Sequence, residues 1–540
     1  MSCIYLDTGQ PFSSIFMSRK TTLLILVCLL GISAMLHGQE KTSIEGRVLN
    51  KKNHEPIIGA AINLKETEQW SVSDTLGRFY FDDIYPGHYT ILVQCLCYEL
   101  FTQEFDIEGN KINDIEIFVA PISYDMEEVN VLAKKGTNIA TSTTIGSAAI
   151  EYVQATGLND VMQLLPGNLA VNPDLSGPQQ IAIREIGTNS NTAMGTAILV
   201  DNAPVSNDAN LQVLSTSVSR TGEFSTVAGA GVDLRKIATD NIQSVEVIKG
   251  IPSVVYGDLT SGAVVVKTKA GYSPFTIRLK TDPQIKQAAV TKGVKLKSGN
   301  SFMNFSFDYL SSYSDVLSKY KGYKRLTGQT SYATKFFDKT TPLTFNAKLN
   351  IFGTIDNSKT DPDAMVADEE YETKEQGISL NLNGDWKLDK KLITNLQYTY
   401  SVALEHDVSY QKMYRTSSGG VQPVSLSLVE GENYGIYLPT EQLTELTVDG
   451  RPVNIFAQIT GDKVIKLSNG IINKILTGGE FRSIGNNGQG QIYDVANPPF
   501  ISNHSSRPRS FKDIPAMQSI SYFLENKTTI PIKKTKLTVQ

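Results

Sequence analysis

From residue 275 onward, apolar and polar side chains alternate with a period of two. Met303, Phe305, Phe307 and Tyr309 interleave with Asn304, Ser306 and Asp308. Leu343, Phe345, Ala347, Leu349 and Ile351 do the same with Thr344, Asn346, Lys348 and Asn350. Two further runs, 378–388 and 395–404, repeat the pattern. Each run keeps one apolar and one polar face over about 10 residues or more, the mark of strands in a membrane barrel with a wet lumen. Strands of a soluble sandwich also alternate. Their second face rarely stays this polar through long successive strands with Tyr and Trp near the ends. Links such as 387–391 predict tight turns at one end of the strands. The stretches 356–372 and 406–517 predict long loops at the other end. The second is rich in Gly, Asn and Ser, with strand-like pieces at 453–459 and 463–467, and a surface loop of that length is expected to carry function. Roughly eight or nine strands are expected up to Gln540, with the last run, 536–540, stopping mid-strand.

Three regions precede this pattern. Residues 43–120 hold short alternating runs (44–48, 60–64, 79–81, 89–94, 104–107, 115–119) separated by turn residues, which predicts a small β-sandwich. Residues 121–156 change character: an acidic-then-apolar segment, 124–133, leads into a Ser/Thr/Gly/Ala-rich stretch, 136–147. That composition buries little and reads as a linker. Residues 157–271 mix helix and strand. Leu158, Val161, Met162 and Leu165 fall at helical spacing before a stop at Pro166-Gly167. Strands follow at 181–186, 196–205, 244–249 and 263–269, with turns at Gly250–Pro252, Gly257 and Gly262.

The start of the chain adds a targeting signal. Arg19 and Lys20 precede an apolar run, 23–36, of about 14 residues, too short to span a bilayer and suited to a secretory leader. Residues 1–38 are therefore expected to be a signal peptide, with Met17 as the working start. No later stretch reaches the 18 or so apolar residues of a membrane helix, so any crossing must be by strands. The net charge of −5 over 540 residues does not suggest nucleic-acid binding. Cys95 and Cys97, two apart on a strand, point the same way and suit a buried pair better than an unstrained disulfide.

Against this frame, segment 239–271 resembles the end of the plug domain of TonB-dependent outer-membrane transporters. The run with Asp160, Leu164, Pro166 and Gly167 is similar to the plug's start. Residues 197–204, with Asp201 and Pro204, are similar to its internal aspartate-proline motif, although Asn202 stands where the family has Gly. Arg184 aligns with an Arg-Gly pair, but Glu185 follows it. In the sandwich, Gly46, Pro56, Gly59, Asp74, Gly77, Phe79, Pro86, Gly87 and Tyr89 resemble the carboxypeptidase-regulatory-like domain, which often precedes the plug in SusC/RagA-like transporters.

The resemblance implies a mainly β fold: an N-terminal β-sandwich, an α+β plug, then the N-terminal part of a transmembrane antiparallel β-barrel of about 22 strands. It places a TonB box just ahead of the plug, for which Met126, Glu127, Glu128, Val129, Asn130 and Val131 are the candidate. A strand-competent segment there could add an edge strand to a periplasmic partner. Family plugs carry a charge network toward the barrel, here assigned to Arg184, Glu246 and Lys249. The implied partners are TonB, a surface lipoprotein lid of SusD-like type and outer-membrane lipid. The implied location is the outer membrane of a Gram-negative bacterium.

No cofactor, metal or catalytic residue is expected. The spacing of Gly257 and Gly262 imitates a phosphate loop, but Ala263 stands where its Lys belongs. Asp361, Asp363, Asp368, Glu369 and Glu370 lack the EF-hand spacing and read as a solvated loop. Past the expected leader, the histidines His54, His88, His406 and His504 are scattered without zinc-site spacing, and no nucleophile elbow is present. The expected function is TonB-powered import of an oligosaccharide or peptide. A siderophore or metal-complex receptor and a non-transporting surface binding protein are the alternatives.

Overall fold

The computed structural model describes residues 42–539 apart from 52, 68, 96–97, 108–112, 121–133, 136–141, 166–174, 176, 182, 184–195, 211–230, 250–252, 258–261, 297–300, 318, 338–340, 364–367, 417–421, 426–430, 433, 468–470, 500–509 and 533–534. The segment 126–131, Pro166, Gly167, Arg184, Gly250 and Cys97 thus lie outside the described residues. The fold is mainly β and has three parts.

The first part is a sandwich of two sheets. Thr42–Asn50 runs between Arg78–Ile84, antiparallel, and Asn113–Val119, parallel. The facing sheet is ordered Gln69–Val72, Ala61–Leu64, Gly87–Gln94, Phe101–Ile107. Ile44, Val48, Ile62, Leu64, Phe79, Ile91, Val93 and Ile117 meet in one core, and Cys95 packs on its margin. Burying each such side chain stabilises by roughly 1.5–3 kcal/mol. Gly46 is required by close approach: a Cβ there would lie 2.3 Å from the Ile115 carbonyl oxygen and 2.5 Å from the Phe79 ring.

The second part is a six-stranded sheet ordered Ala203–Val205, Thr196–Val200, Gly262–Thr268, Ile242–Ile248, Ser142–Gly146, Lys134–Lys135. Helices Ser147–Tyr152 and Leu158–Met162 cover one face, where Ile150, Leu158 and Val161 pack on Val245, Val247, Val264 and Val266. The Asp160 carboxylate fixes the start of the second helix by accepting from Thr156 N at 2.7 Å and Gly157 N at 3.3 Å. The expected linker 121–156 is therefore too long at its C-terminal end. Ser142–Gly146 pairs in register with Ile242–Ile248 and is a strand of this sheet. Small and hydroxyl side chains hid it, because Ile145 is its one buried apolar side chain, beside a buried Ser142.

The third part is an antiparallel wall whose neighbouring strands follow chain order. It runs from Thr276–Thr281 through Ile285–Lys295, Ser301–Tyr313, Lys321–Phe336, Leu343–Lys359, Glu370–Lys387, Asn395–Thr416, Pro452–Lys466, Ile472–Asn486 and Met517–Ile532 to Thr535–Val539. Phe305, Phe307, Tyr309, Ile351 and Leu380 are exposed on the outer face, while Asn304, Asp308, Arg325 and Lys348 are buried on the inner one. Links at one end are short (388–394, 467–471) and at the other long (417–451, 487–516). The expected single loop 406–517 is corrected here. Pro452–Lys466 and Ile472–Asn486 are full wall strands, paired to Asn395–Thr416 and Met517–Ile532. Outside them, Glu441–Gly450 extends the pairing of Asn395–Thr416, and Leu446 and Val448 share a small core with Phe511. Among the described residues no helix is long and apolar enough to cross a membrane, a statement that does not bear on strands.

Candidate functional site: the seam between plug and wall

The six-stranded unit meets the inner face of the wall mainly through polar groups, with one apolar patch where Leu175 meets Ile285, Leu310 and Tyr323. The densest point is a single helical turn, Leu234–Lys236. The Asp233 side chain caps it by accepting from Arg235 N at 3.0 Å and from Gln179 N at 3.0 Å. Leu234 is fully buried in the core below, so Arg235 and Lys236 are thrust toward the wall.

Arg235 Nη2 lies 2.8 Å from both Asp233 Oδ2 and Asp356 Oδ2 of the wall. Its Nη1 donates to the Leu175 carbonyl at 2.9 Å, and its guanidinium stacks 4.2 Å from the Tyr323 ring centroid. From the wall, Arg325 Nη2 meets Asp308 Oδ1 at 2.7 Å, while its Nη1 donates to the Arg235 carbonyl at 2.5 Å. Lys236 Nζ pairs with Glu375 Oε2 at 2.9 Å. Arg278 Nε stands 2.8 Å from Asp240 Oδ1, in contact but off the hydrogen-bond axis, and Gln287 Nε2 bridges Asp240 and Asp308 at 3.1 and 2.6 Å. Charges so enclosed persist because each finds a partner, and removing one partner typically costs about 3–5 kcal/mol.

Electrostatics follow from this enclosure. Burial opposes ionisation of Asp233, but Arg235 outweighs it and holds the carboxyl below its usual range. Burial likewise works against Arg235 and Lys236, yet the facing carboxylates of Asp233 and Asp356, and of Glu375, raise both above their ordinary values. Asp240 differs: burial dominates over Arg278 and pushes its carboxyl up to about 6.

A second contact lies toward the short-link end. Asp201 and Asn202 form a two-residue hairpin between Thr196–Val200 and Ala203–Val205, with φ of 52° and 67°. A turn with both central φ positive favours Gly, and Asn is among the few side chains that accept it, which explains Asn202. Asp201 accepts from Thr268 N at 3.0 Å and pairs with Lys348 Nζ at 2.6 Å; Lys348 also reaches Thr268 Oγ1. Asn383 Nδ2 donates to the Asp201 carbonyl at 3.3 Å. A third contact holds the turn after Ile242–Ile248: Glu525 accepts from Ser253 Oγ at 2.7 Å and Val254 N at 3.0 Å.

Of the residues expected to form the charge network, Glu246 and Lys249 are half-buried on the plug sheet, and neither has an ion pair among the described residues. Asp201 and Pro204 sit in the hairpin, Gly257 faces Arg482 with room to spare, and Gly262 passes close to the Ile248 carbonyl oxygen. Sequence reasoning missed Asp233, Arg235, Lys236 and Asp240. The signal was present as Arg325, Asp356 and Glu375 on the polar face of wall strands, where a charge needs a partner inside. Asp368 and Glu370 pair with Lys412 and Lys359 at 2.8 and 2.5 Å.

Below the seam, a cavity of about 2170 Å³ separates plug, wall and sandwich. Lys348 faces Asp201 there, Lys387 faces Asp385 at 3.2 Å, and Arg482 faces Glu480 at 2.5 Å. Gln397, Tyr398, Gln458 and Thr460 supply amide, phenol and hydroxyl groups between them.

An α+β unit held by buried ion pairs against the polar face of a wall with an apolar exterior has the arrangement of a plug seated on part of a barrel. Residues 134–264 match the TonB-dependent Receptor Plug Domain, and residues 44–131 match the CarboxypepD_reg-like domain. Residues 134–264 therefore carry a TonB-dependent receptor plug domain, behind a carboxypeptidase-regulatory-like domain. Among solved structures it is similar to the ferric enterobactin receptor PfeA of Pseudomonas aeruginosa (14% identity, 74% of this chain, 56% of that one, TM-score 0.41). It is also similar to the ferric-catecholate import receptor Fiu of E. coli K12 (12%, 74%, 55%, 0.41). A third is the outer membrane transporter YddB of Escherichia coli (14%, 75%, 57%, 0.40). The chain spans a little over half the length of these structures. No curated protein matches it.

Proposed function

We propose that this receptor imports a nutrient, an oligosaccharide or peptide, across the outer membrane with energy transmitted by TonB. The observation that carries the reading is the plug itself, matched over residues 134–264 and fastened to the wall by ion pairs. Such a seam is tight at rest and opens only under work, which suits a pulled plug. In this reading 126–131 is the segment TonB grips, and a SusC-like arrangement with a lipoprotein lid delivers the cargo. In the cavity below the seam Lys348, Lys387 and Arg482 are each matched by an acid, and Gln397, Gln458 and Thr460 offer hydrogen-bonding groups that suit a hydroxyl-rich cargo.

Deleting 126–131 is expected to abolish uptake while leaving surface binding intact. Uptake that persists refutes the coupling. Competition with mixed oligosaccharides, peptides and a ferric catecholate then assigns cargo, and uptake of the last alone would replace the nutrient reading with a siderophore one.

A further inference from the structure

The cavity has two ends. In the strand register, Lys348, Asn381, Ser401, Phe456 and Arg482 form one row across the wall. Lys335, Thr344, Asp385, Gln397 and Thr460 form another, nearer the short links. The cavity reaches both rows, while the Arg235 seam lies farther toward the long loops. At the short-link end the same cavity is lined by the sandwich, through Ile58, Gly59, Tyr98 and Leu100. Lys335 Nζ donates to the Gly59 carbonyl at 3.1 Å. Ile58 and Leu100 remain 62% and 56% exposed, so the sandwich does not bury itself against the mouth it faces.

We infer that the space is an inner vestibule with two barriers in series: the ion-paired seam above, and the sandwich as a releasable cover below. The sandwich's own strands pair only with one another among the described residues, so it can move as a unit without breaking a sheet. The two barriers differ in strength by their chemistry. The upper requires separating enclosed charges, whereas the lower requires releasing the contacts of Lys335, its half-buried hydrogen bond to Gly59 among them. Cargo that passed the seam would wait in the vestibule until the cover swung aside. The direction of traffic rests on the import reading; the cover does not.

Labelling from the periplasmic side tests it without cargo or TonB. Gln397→Cys is placed in the full receptor with Cys95→Ser and Cys97→Ser, and spheroplasts are treated with N-ethylmaleimide or a bulky polymer maleimide. The small reagent is expected to label quickly and the bulky one slowly. Lys335→Ala should speed the bulky reagent by at least about fivefold, the scale of one modest hydrogen bond, and Lys335→Arg should restore the slow rate. Equal bulky-reagent rates in the parent and Lys335→Ala, whether fast or slow, would overturn the cover. So would failure of the small reagent to label. A failed uptake assay would leave a positive labelling result standing.

Discussion

In the sandwich strand Thr42–Asn50, Ile44 and Val48 turn inward to a core that water does not reach. In the wall strand Ser301–Tyr313, Phe305, Phe307 and Tyr309 turn outward, and Asn304 and Asp308 are the buried positions. Both strands are written with the same period of two. What differs is what each face meets: the sandwich turns its apolar face to its own core, the wall turns its apolar face outward and its polar face to the plug. Alternation alone therefore says that two faces exist, and the chemistry of the polar face says which one is inside. A polar face that carries Arg325 and Asp308, each at most 1% exposed, is an interior in need of counter-charges.

The comparison can be broken most forcefully at the seam. Arg235→Ala leaves Asp356 and Asp233 buried without their cation, and a loss of about 3–5 kcal/mol in plug seating is expected, read as protease sensitivity of the plug in intact outer membranes. Unchanged protection would remove the seam from the stability of the plug. In the sandwich, Ile91→Ala leaves a cavity in an apolar core and should cost about 2–5 kcal/mol, confined to that unit. Hydrogen exchange over 42–119 would show whether the plug is spared. On the lipid face, Phe307→Arg should cost roughly 2–4 kcal/mol if it sits near the bilayer midplane, whereas Phe307→Leu should be close to silent in a heat-modifiability assay. The reverse ranking would turn the wall inside out.

A smaller effect comes from pH. The Asp240 carboxyl is raised to about 6 in the fold, above its unfolded value near 3.9. Its contribution to stability is therefore full below about pH 4 and lost as pH rises through about 6. Plug stability measured from pH 4 to 8 should carry this step, and Asp240→Asn should flatten it. A step that survives the substitution belongs to another group.

Much of this architecture was legible because β-branched and aromatic residues at period two mark strands wherever the register is unbroken. The runs 303–309 and 343–351 fall inside Ser301–Tyr313 and Leu343–Lys359. Ile472–Asn486 was not legible, because Gly478-Gly479 interrupts its pattern. The Phe523 ring of the neighbouring strand fills the space there, 2.5 Å from where a Gly478 Cβ would fall. The seam was the least legible element. Asp233, Arg235 and Lys236 follow a glycine-rich stretch and look like a solvated turn, and only pairing across 121 residues to Asp356 shows otherwise. The charges at Glu246 and Lys249 stood out because apolar neighbours surround them, yet the sheet turns them away from the described ion pairs.

The position of Gly262–Thr268 has a temporal consequence. It lies between Thr196–Val200 and Ile242–Ile248, parallel to the former, so the last strand of the plug closes its centre. A chain emerging from its N-terminus cannot complete that sheet until residue 268 has emerged. The sandwich, closed by Asn113–Val119 against Thr42–Asn50, can finish long before. The plug's halves must wait with unpaired edges, and parallel pairing over such separations is slow. Holdase chaperones should therefore protect 142–248 more than 42–119 during synthesis, making the plug the kinetic bottleneck of assembly.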